Sequence, residues 1–297
     1  MAITETRFTY KGDDGEEISA FRWQAPGPAK AVIQIAHGAG EHSLRYLEPL
    51  TPIIEAGYIV YSADHRGHGL TAGTPERLGD FGAGGRAAAI TDMAVLSRRI
   101  RAEEPDLPLI LLGHSMGAGF AQSYILDHHA LIDALVLSGT AAGPPRQGVT
   151  APMVAAGAKP PRPPGPNASF PNPRTPYDWL SRDDSEVDKY IADPLCGIQF
   201  KAPPEGVTPP APRDYDPELM KQIDKAMAIY VFVGDKDPIN ADLTRITPLM
   251  DRFADAGLRN ATLKVYPGGR HEMLNETNRA EVVADLHAWL DRAVEAL

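Results

Sequence analysis

A serine, two aspartates and a histidine stand at the ends of apolar runs in this chain, where covalent acyl chemistry would need them. Gly113-His114-Ser115-Met116-Gly117 follows the apolar run 107–112 and opens onto a helix-like segment, 118–128. A serine on a sharp strand-to-helix turn, with glycines that let neighbouring backbone approach closely, has the form of a nucleophile elbow. The bare G-x-S-x-G pattern also describes ordinary Gly-rich turns, so its meaning rests on context. Downstream, the run 228–233 ends in Gly234-Asp235-Lys236-Asp237-Pro238, and the run 261–266 ends in Pro267-Gly268-Gly269-Arg270-His271.

The chain order Ser, Asp, His matches one of the known triad arrangements. A serine hydroxyl is a poor nucleophile at neutral pH and needs a base; the imidazole of His271 suits that role and would later protonate the leaving group. A buried carboxylate fixes the imidazole tautomer and stabilises the imidazolium, and spacing alone leaves both Asp235 and Asp237 open for this task. A fourth segment, Ala31-Val32-Ile33-Gln34-Ile35-Ala36, reads as a buried strand running into His37-Gly38-Ala39-Gly40. Such a turn could aim the backbone NH of Ala39 at a developing oxyanion, with the NH of Met116 as the second donor.

With these residues in place, the chain resembles the monoglyceride lipase and lysophospholipase branch of the α/β-hydrolases. The resemblance runs through His37-Gly-Ala-Gly-Glu-His-Ser-Leu-Arg-Tyr46, Asp64-His-Arg-Gly-His-Gly69, the 113–117 elbow, Gly234-Asp-Lys-Asp-Pro238 and Gly268-Gly-Arg-His-Glu272. It implies that Asp237 is the triad carboxylate, that Asp235 is a turn residue, and that Ala39 and Met116 supply the oxyanion donors. It also implies a carboxylic ester hydrolase acting through an acyl-enzyme on monoacylglycerol or lysophospholipid esters, a substrate carrying one acyl chain.

The elements that must position these residues alternate along the chain. An N-terminal hairpin is expected up to Gln24, around the turn Lys11-Gly-Asp-Asp-Gly15. Strands follow at 31–36, 58–63, 107–112, 134–138, 228–233 and 261–266, and helices at 43–56, 86–101, 118–128 and 280–297. Strands interleaved with helices predict an α/β fold of the α/β-hydrolase type: a mostly parallel sheet, helices on both faces, and sites at the carboxyl edge. The pattern breaks after Gly143, where 18 of the chain's 28 prolines fall between residues 143 and 217. That density excludes long regular helices from much of the region. The expected organisation is a core of residues 1–143 and 218–297 with an inserted Pro-rich cap, 144–217. Within the cap, 175–196 has helix-like character and 159–173 and 202–212 read as rigid, irregular chain. Its apolar residues Met153, Val154, Phe170, Trp179, Leu180 and Ile198 are candidates for lining an acyl pocket.

Composition bounds the partners. The formal net charge of −10 argues against nucleic acid and offers no attraction to anionic membranes, leaving at most transient lipid-surface contact through the cap. The single cysteine, Cys196, excludes an internal disulfide and reads as a small buried or cap residue. No apolar run is long enough to cross a bilayer and no secretory signal is evident, so a cytoplasmic location is expected. Neither H-E-x-x-H nor clustered Cys/His spacing occurs, the glycine pairs fit no nucleotide loop, and neither a metal nor an organic cofactor is expected. His65 and His68 read as polar side chains that hold a tight loop, and His42, Arg45 and Tyr46 as buried hydrogen bonding near the oxyanion turn. His128 and His129 should meet the terminal carbonyls of the elbow helix. Two other functions share this fold: an aminopeptidase-type hydrolase, with Asp183, Asp184 and Glu186 receiving a substrate ammonium, and a non-catalytic small-molecule receptor.

Overall fold

Eight strands form one sheet in the computed structural model, which describes residues 2–142, 165–201 and 212–297. Their spatial order is β1-β2-β4-β3-β5-β6-β7-β8. β1 (Thr4–Lys11) and β2 (Glu17–Gln24) form the expected hairpin, and β2 runs antiparallel to β4 (Tyr58–Ala63). All remaining pairings, through β3 (Ala31–Ala36), β5 (Leu109–His114), β6 (Ala134–Ser138), β7 (Ala228–Gly234) and β8 (Ala261–Tyr266), are parallel.

The central strands read as unbroken apolar runs because helices bury both faces. Alternate residues of one strand enter two separate cores. Leu109 and Leu111 of β5 pack with α2 (Gly85–Glu103) and α3 (Met116–His128), while Ile110 and Leu112 face the side of α1 (Leu47–Glu55) and α7 (Arg279–Glu295). At roughly 25 cal/mol per Å² of apolar surface, this two-sided burial is what fixes the register: a one-residue slip would exchange the two cores.

That register brings the carboxyl ends of five strands to one edge. Ala36 of β3 lies opposite Gly113 of β5, His114 opposite Ser138 of β6, and Gly234 of β7 opposite Tyr266 of β8. The strands match the sequence expectations closely, while several elements differ; the helix expected at 43–56 begins as a 3-10 turn, Ser43–Tyr46, and is α-helical only from Leu47. The elbow strand runs two residues further, to His114, and the elbow helix starts at Met116 rather than at 118. Among the described residues of the inserted region before Pro217, only Asp184–Ala192 (α4) is an α-helix; residues 175–183 are turns, bends and irregular chain. Asp178 explains much of this, because its carboxylate accepts the backbone NH of Arg174 and of Thr175 and ties the chain into a turn. Of the irregular stretches expected at 159–173 and 202–212, residues 159–164 and 202–211 lie outside the described residues, as do Met153 and Val154. Two short helices complete the set, α5 (Pro217–Met220) and α6 (Thr247–Asp255), and no described helix is long and apolar enough to cross a membrane.

Candidate active site

Ser115 sits at the β5–α3 junction with φ 52° and ψ −116°, a backbone region that side-chain-bearing residues rarely occupy. Such a conformation costs on the order of 1–3 kcal/mol and must be held from outside. The Ser115 NH donates to Ser138 O at 2.9 Å, and Ser115 O accepts from Gly119 N at 3.1 Å. Two glycines make the turn sterically feasible. A Cβ on Gly117 would stand 2.0 Å from Ala36 O, and one on Gly113 would stand 2.6 Å from Gly117 O. The first turn of α3 therefore lies directly against the end of β3, where the Ala39 loop begins.

His271 and Asp237 meet from two different strand ends. The ring Nδ1 lies 2.9 Å from Asp237 Oδ2, and both side chains are almost wholly buried. Asp237 is oriented by the Ile239 NH, which donates to its other oxygen at 2.9 Å. Asp235 points elsewhere: its Oδ1 accepts the Gly268 NH at 2.7 Å, and the neighbouring Lys236 NH donates to Gly269 O. It ties the two loops together. Desolvation opposes the imidazolium of His271, but the charge and hydrogen bond of Asp237 outweigh it and raise the histidine's pKa above its ordinary value. His271 Nε2 is buried with no hydrogen-bond partner among the described residues, which leaves it as the ring atom available to a nucleophile's proton.

Packing places this pair beside the elbow. The His114 and His271 rings are 4.9 Å apart, and a Cβ on Gly139, next to the carbonyl that binds Ser115, would stand 3.0 Å from His271 Cε1. On the opposite side, a Cβ on Gly38 would stand 3.2 Å from Ser115 Cβ. Ser115, His271, Asp237 and the 37–40 loop thus converge at one place on the sheet edge.

The 37–40 loop is built by buried polar contacts. Gly38 N donates to Glu41 Oε1 at 2.6 Å, and Gly40 N to His68 Nε2 at 3.2 Å. His37 Nε2 accepts the His65 NH, which makes its Nδ1 the donor to Gly38 O. Asp64 receives the NH groups of Ser43 and Leu70. Gly38 and Gly40 are so engaged, whereas the NH groups of the exposed Ala39 and of Met116 have no hydrogen-bond acceptor among the described residues. Burial holds His37, His68 and His114 neutral, with pKa values pulled down to about 4, 3 and 4 respectively.

Sequence reasoning missed Glu41 and Glu272. Arg45 donates to Glu41 at 2.6 Å and pairs through two hydrogen bonds with Glu272, and Tyr46 donates to Glu41. This buried chain couples the 37–40 loop to the residue after His271. The burial penalty on Glu41 is overcome chiefly by Arg45, which holds the carboxyl below the usual range. No local signal marked it, because residues 227 apart in sequence make the contact. His128 differs from expectation: its ring packs at 5.2 Å from Tyr124, and His129 Nδ1 is buried without a partner among the described residues.

The inserted region reaches this site along residues 177–183. The NH groups of His271 and Glu272 donate to Trp179 O and Leu180 O, and the Trp179 indole lies 4.7 Å from the His271 ring. Arg182 pairs with the fully buried Glu276, whose Oε1 also accepts the NH groups of Arg182 and Arg270.

A turn that strains a serine between β5 and α3, above a parallel sheet with a His–Asp pair at the same edge, defines an α/β-hydrolase. Residues 27–278 match the Hydrolase_4 family, described as serine aminopeptidase, S33, and the chain belongs to it. It is similar over nearly its whole length to the monoacylglycerol lipase of Mycolicibacterium smegmatis, at 30% identity with 98% of each chain covered. It is similar also to human monoglyceride lipase, at 29% identity over 94% of this chain and 88% of that one. Among solved structures, a thermostable carboxyl esterase from Bacillus coagulans in complex with glycerol aligns with a TM-score of 0.82 at 25% identity, covering 99% of both chains. A soluble variant of monoglyceride lipase from Saccharomyces cerevisiae shares the fold, with a TM-score of 0.75 at 18% identity over 98% and 95%.

Proposed function

We propose that this protein is a serine hydrolase that cleaves monoacylglycerol esters through an acyl-enzyme, lysophospholipid esters being a second substrate of the same kind. The observation that carries this reading is the convergence of the strained Ser115 with the buried His271–Asp237 pair, in a chain that matches monoacylglycerol lipases end to end. Ser115 Oγ attacks the ester carbonyl as His271 Nε2 takes its proton; Asp237 holds the ring through Nδ1 and stabilises the imidazolium. The NH groups of Ala39 and Met116 receive the oxyanion, which collapses as His271 returns the proton to the departing glycerol oxygen. Water then repeats the sequence on the acyl-enzyme. These groups are all supplied by the chain, so the reaction itself needs no metal or organic cofactor.

Residues 144–217 act in this reading as a cap on the core formed by 1–143 and 218–297, and admit one acyl chain. Each methylene buried there adds roughly 0.8 kcal/mol, so specificity rises from short to medium chains until the pocket is full. The test is a profile of kcat/KM over glycerol monoesters of increasing length, lysophospholipids, aryl esters and amino-acid amides. A flat or falling profile with short polar esters preferred would remove the monoacylglycerol reading and leave the hydrolase.

Aminopeptidase activity is disfavoured by the occupation of its candidate carboxylates. Asp183 caps α4 and pairs with Arg279, Glu186 pairs with Lys189 and Arg279, and Asp184 lies 3.6 Å from Arg174. A covalent fluorophosphonate adduct on Ser115 together with ester turnover separates the enzyme from a receptor, which would lack turnover, and we expect both adduct and turnover.

A further inference from the structure

Cys196 offers no metal motif in sequence, since no second cysteine or histidine stands near it. Folding changes its neighbourhood. The turn that ends α4, Asp193-Pro-Leu-Cys196, packs on the oxyanion loop: Gly197 N donates to Gly40 O at 2.8 Å, and Tyr190 OH donates to the same carbonyl at 2.8 Å. His42, which is buried, comes from that loop, and its Nε2 lies 2.9 Å from Asp193 Oδ2. Ligand atoms of His42, Asp193 and Cys196 all lie within 4.8 Å of one another.

We propose that His42, Asp193 and Cys196 form a three-ligand site for one zinc-class divalent cation, joining the α4 turn to the oxyanion loop. The donor set points to the metal. Imidazole, carboxylate and thiolate together suit zinc, whereas magnesium and calcium take oxygen ligands. Metal–ligand bonds of about 2.0–2.3 Å put tetrahedral ligand atoms roughly 3–4 Å apart, so the three groups need to shift by only about 1 Å. Two further features favour entry. His42 and Asp193 line an open groove of about 750 Å³, and the nearby charge of Arg45 is already taken by Glu41 and Glu272. On binding, the Cys196 thiol gives its proton to solvent as the S–Zn bond forms, and the His42–Asp193 hydrogen bond yields to coordination; no electron is transferred. The ion touches none of the reacting groups, so its role is to pin the junction.

The test uses the full-length protein, stripped with a chelator and titrated with cobalt(II). A thiolate-to-cobalt charge-transfer band should grow to a 1:1 end point and be displaced by zinc. Zinc should raise the melting temperature of the wild type. C196S should lose the band and the melting shift while hydrolysing esters at the wild-type rate, which certifies its fold. D193N, which removes a direct ligand, should weaken zinc binding by at least the roughly 10–100-fold that loss of an outer-shell partner costs. Absence of the band at stoichiometric cobalt, or its survival in C196S, would overturn the site.

Discussion

The core side of this site and the inserted side are held by different physics. At the elbow and the His271–Asp237 pair, position follows from buried strands and from backbone hydrogen bonds that leave no room for a Cβ at Gly117 or Gly234, the latter 2.0 Å from Gly269 O. Residues 177–183 are attached instead by Arg182–Glu276, Arg279–Asp183 and two backbone bonds to the histidine loop. The first arrangement cannot shift without disrupting the sheet. The second can be altered by single side chains while the elbow and the His271–Asp237 pair stay in place.

Substitutions can break this contrast in graded steps. Ser115→Ala should lower kcat by several orders of magnitude with an unchanged melting temperature, since one half-buried hydroxyl contributes little to folding. Near-wild-type turnover would end the assignment. Asp237→Asn should cost about 10⁴-fold in kcat, and Asp235→Asn, which removes charge from a loop tie, far less; kinetics of the two variants side by side decide it.

Acidity should affect the two regions unequally. The base must be neutral, so kcat/KM should fall with decreasing pH through an apparent pKa above the ordinary histidine value, and Asp237→Asn should move that limb down. Stability has its own window. His37, His68 and His114 have folded pKa values below their unfolded ones, so the unfolded chain binds more protons between about pH 6.5 and 4. Stability is full above that window and declines as pH falls through it, by up to about 1.4 kcal/mol per pH unit for each histidine. Denaturant midpoints measured at pH 7, 6 and 5 check this, and a flat series would refute the buried-histidine account.

Trp179→Ala sharpens the comparison at the seam. A ring contact of this kind contributes about 0.5–1.5 kcal/mol, so kcat/KM should drop up to about tenfold while the Ser115 adduct with a fluorophosphonate still forms. The smallest effect is expected from chelation, which should leave the rate unchanged at temperatures well below melting; a loss restored by one divalent ion would place a metal in the reaction.

The order and type of the core elements could be read from periodicity because each strand is buried on both faces and each helix on one, which writes continuous runs and stripes into the sequence. The elbow serine, the histidine and the competing pair of aspartates could be read for a related reason: strand ends are marked by glycine. The 175–183 segment could not, since its shape comes from the Asp178 carboxylate competing for backbone NH groups.

Only the tertiary structure chose between the aspartates by geometry, bringing Asp237 to 2.9 Å from His271 and sending Asp235 to the Gly268 NH. It alone joined Arg45 to Glu272 and His42 to Asp193, 227 and 151 residues apart. Local pattern records which face of an element is buried, whereas a polar pair between distant loops depends on where the sheet register delivers both ends, and that is a property of the whole packed chain.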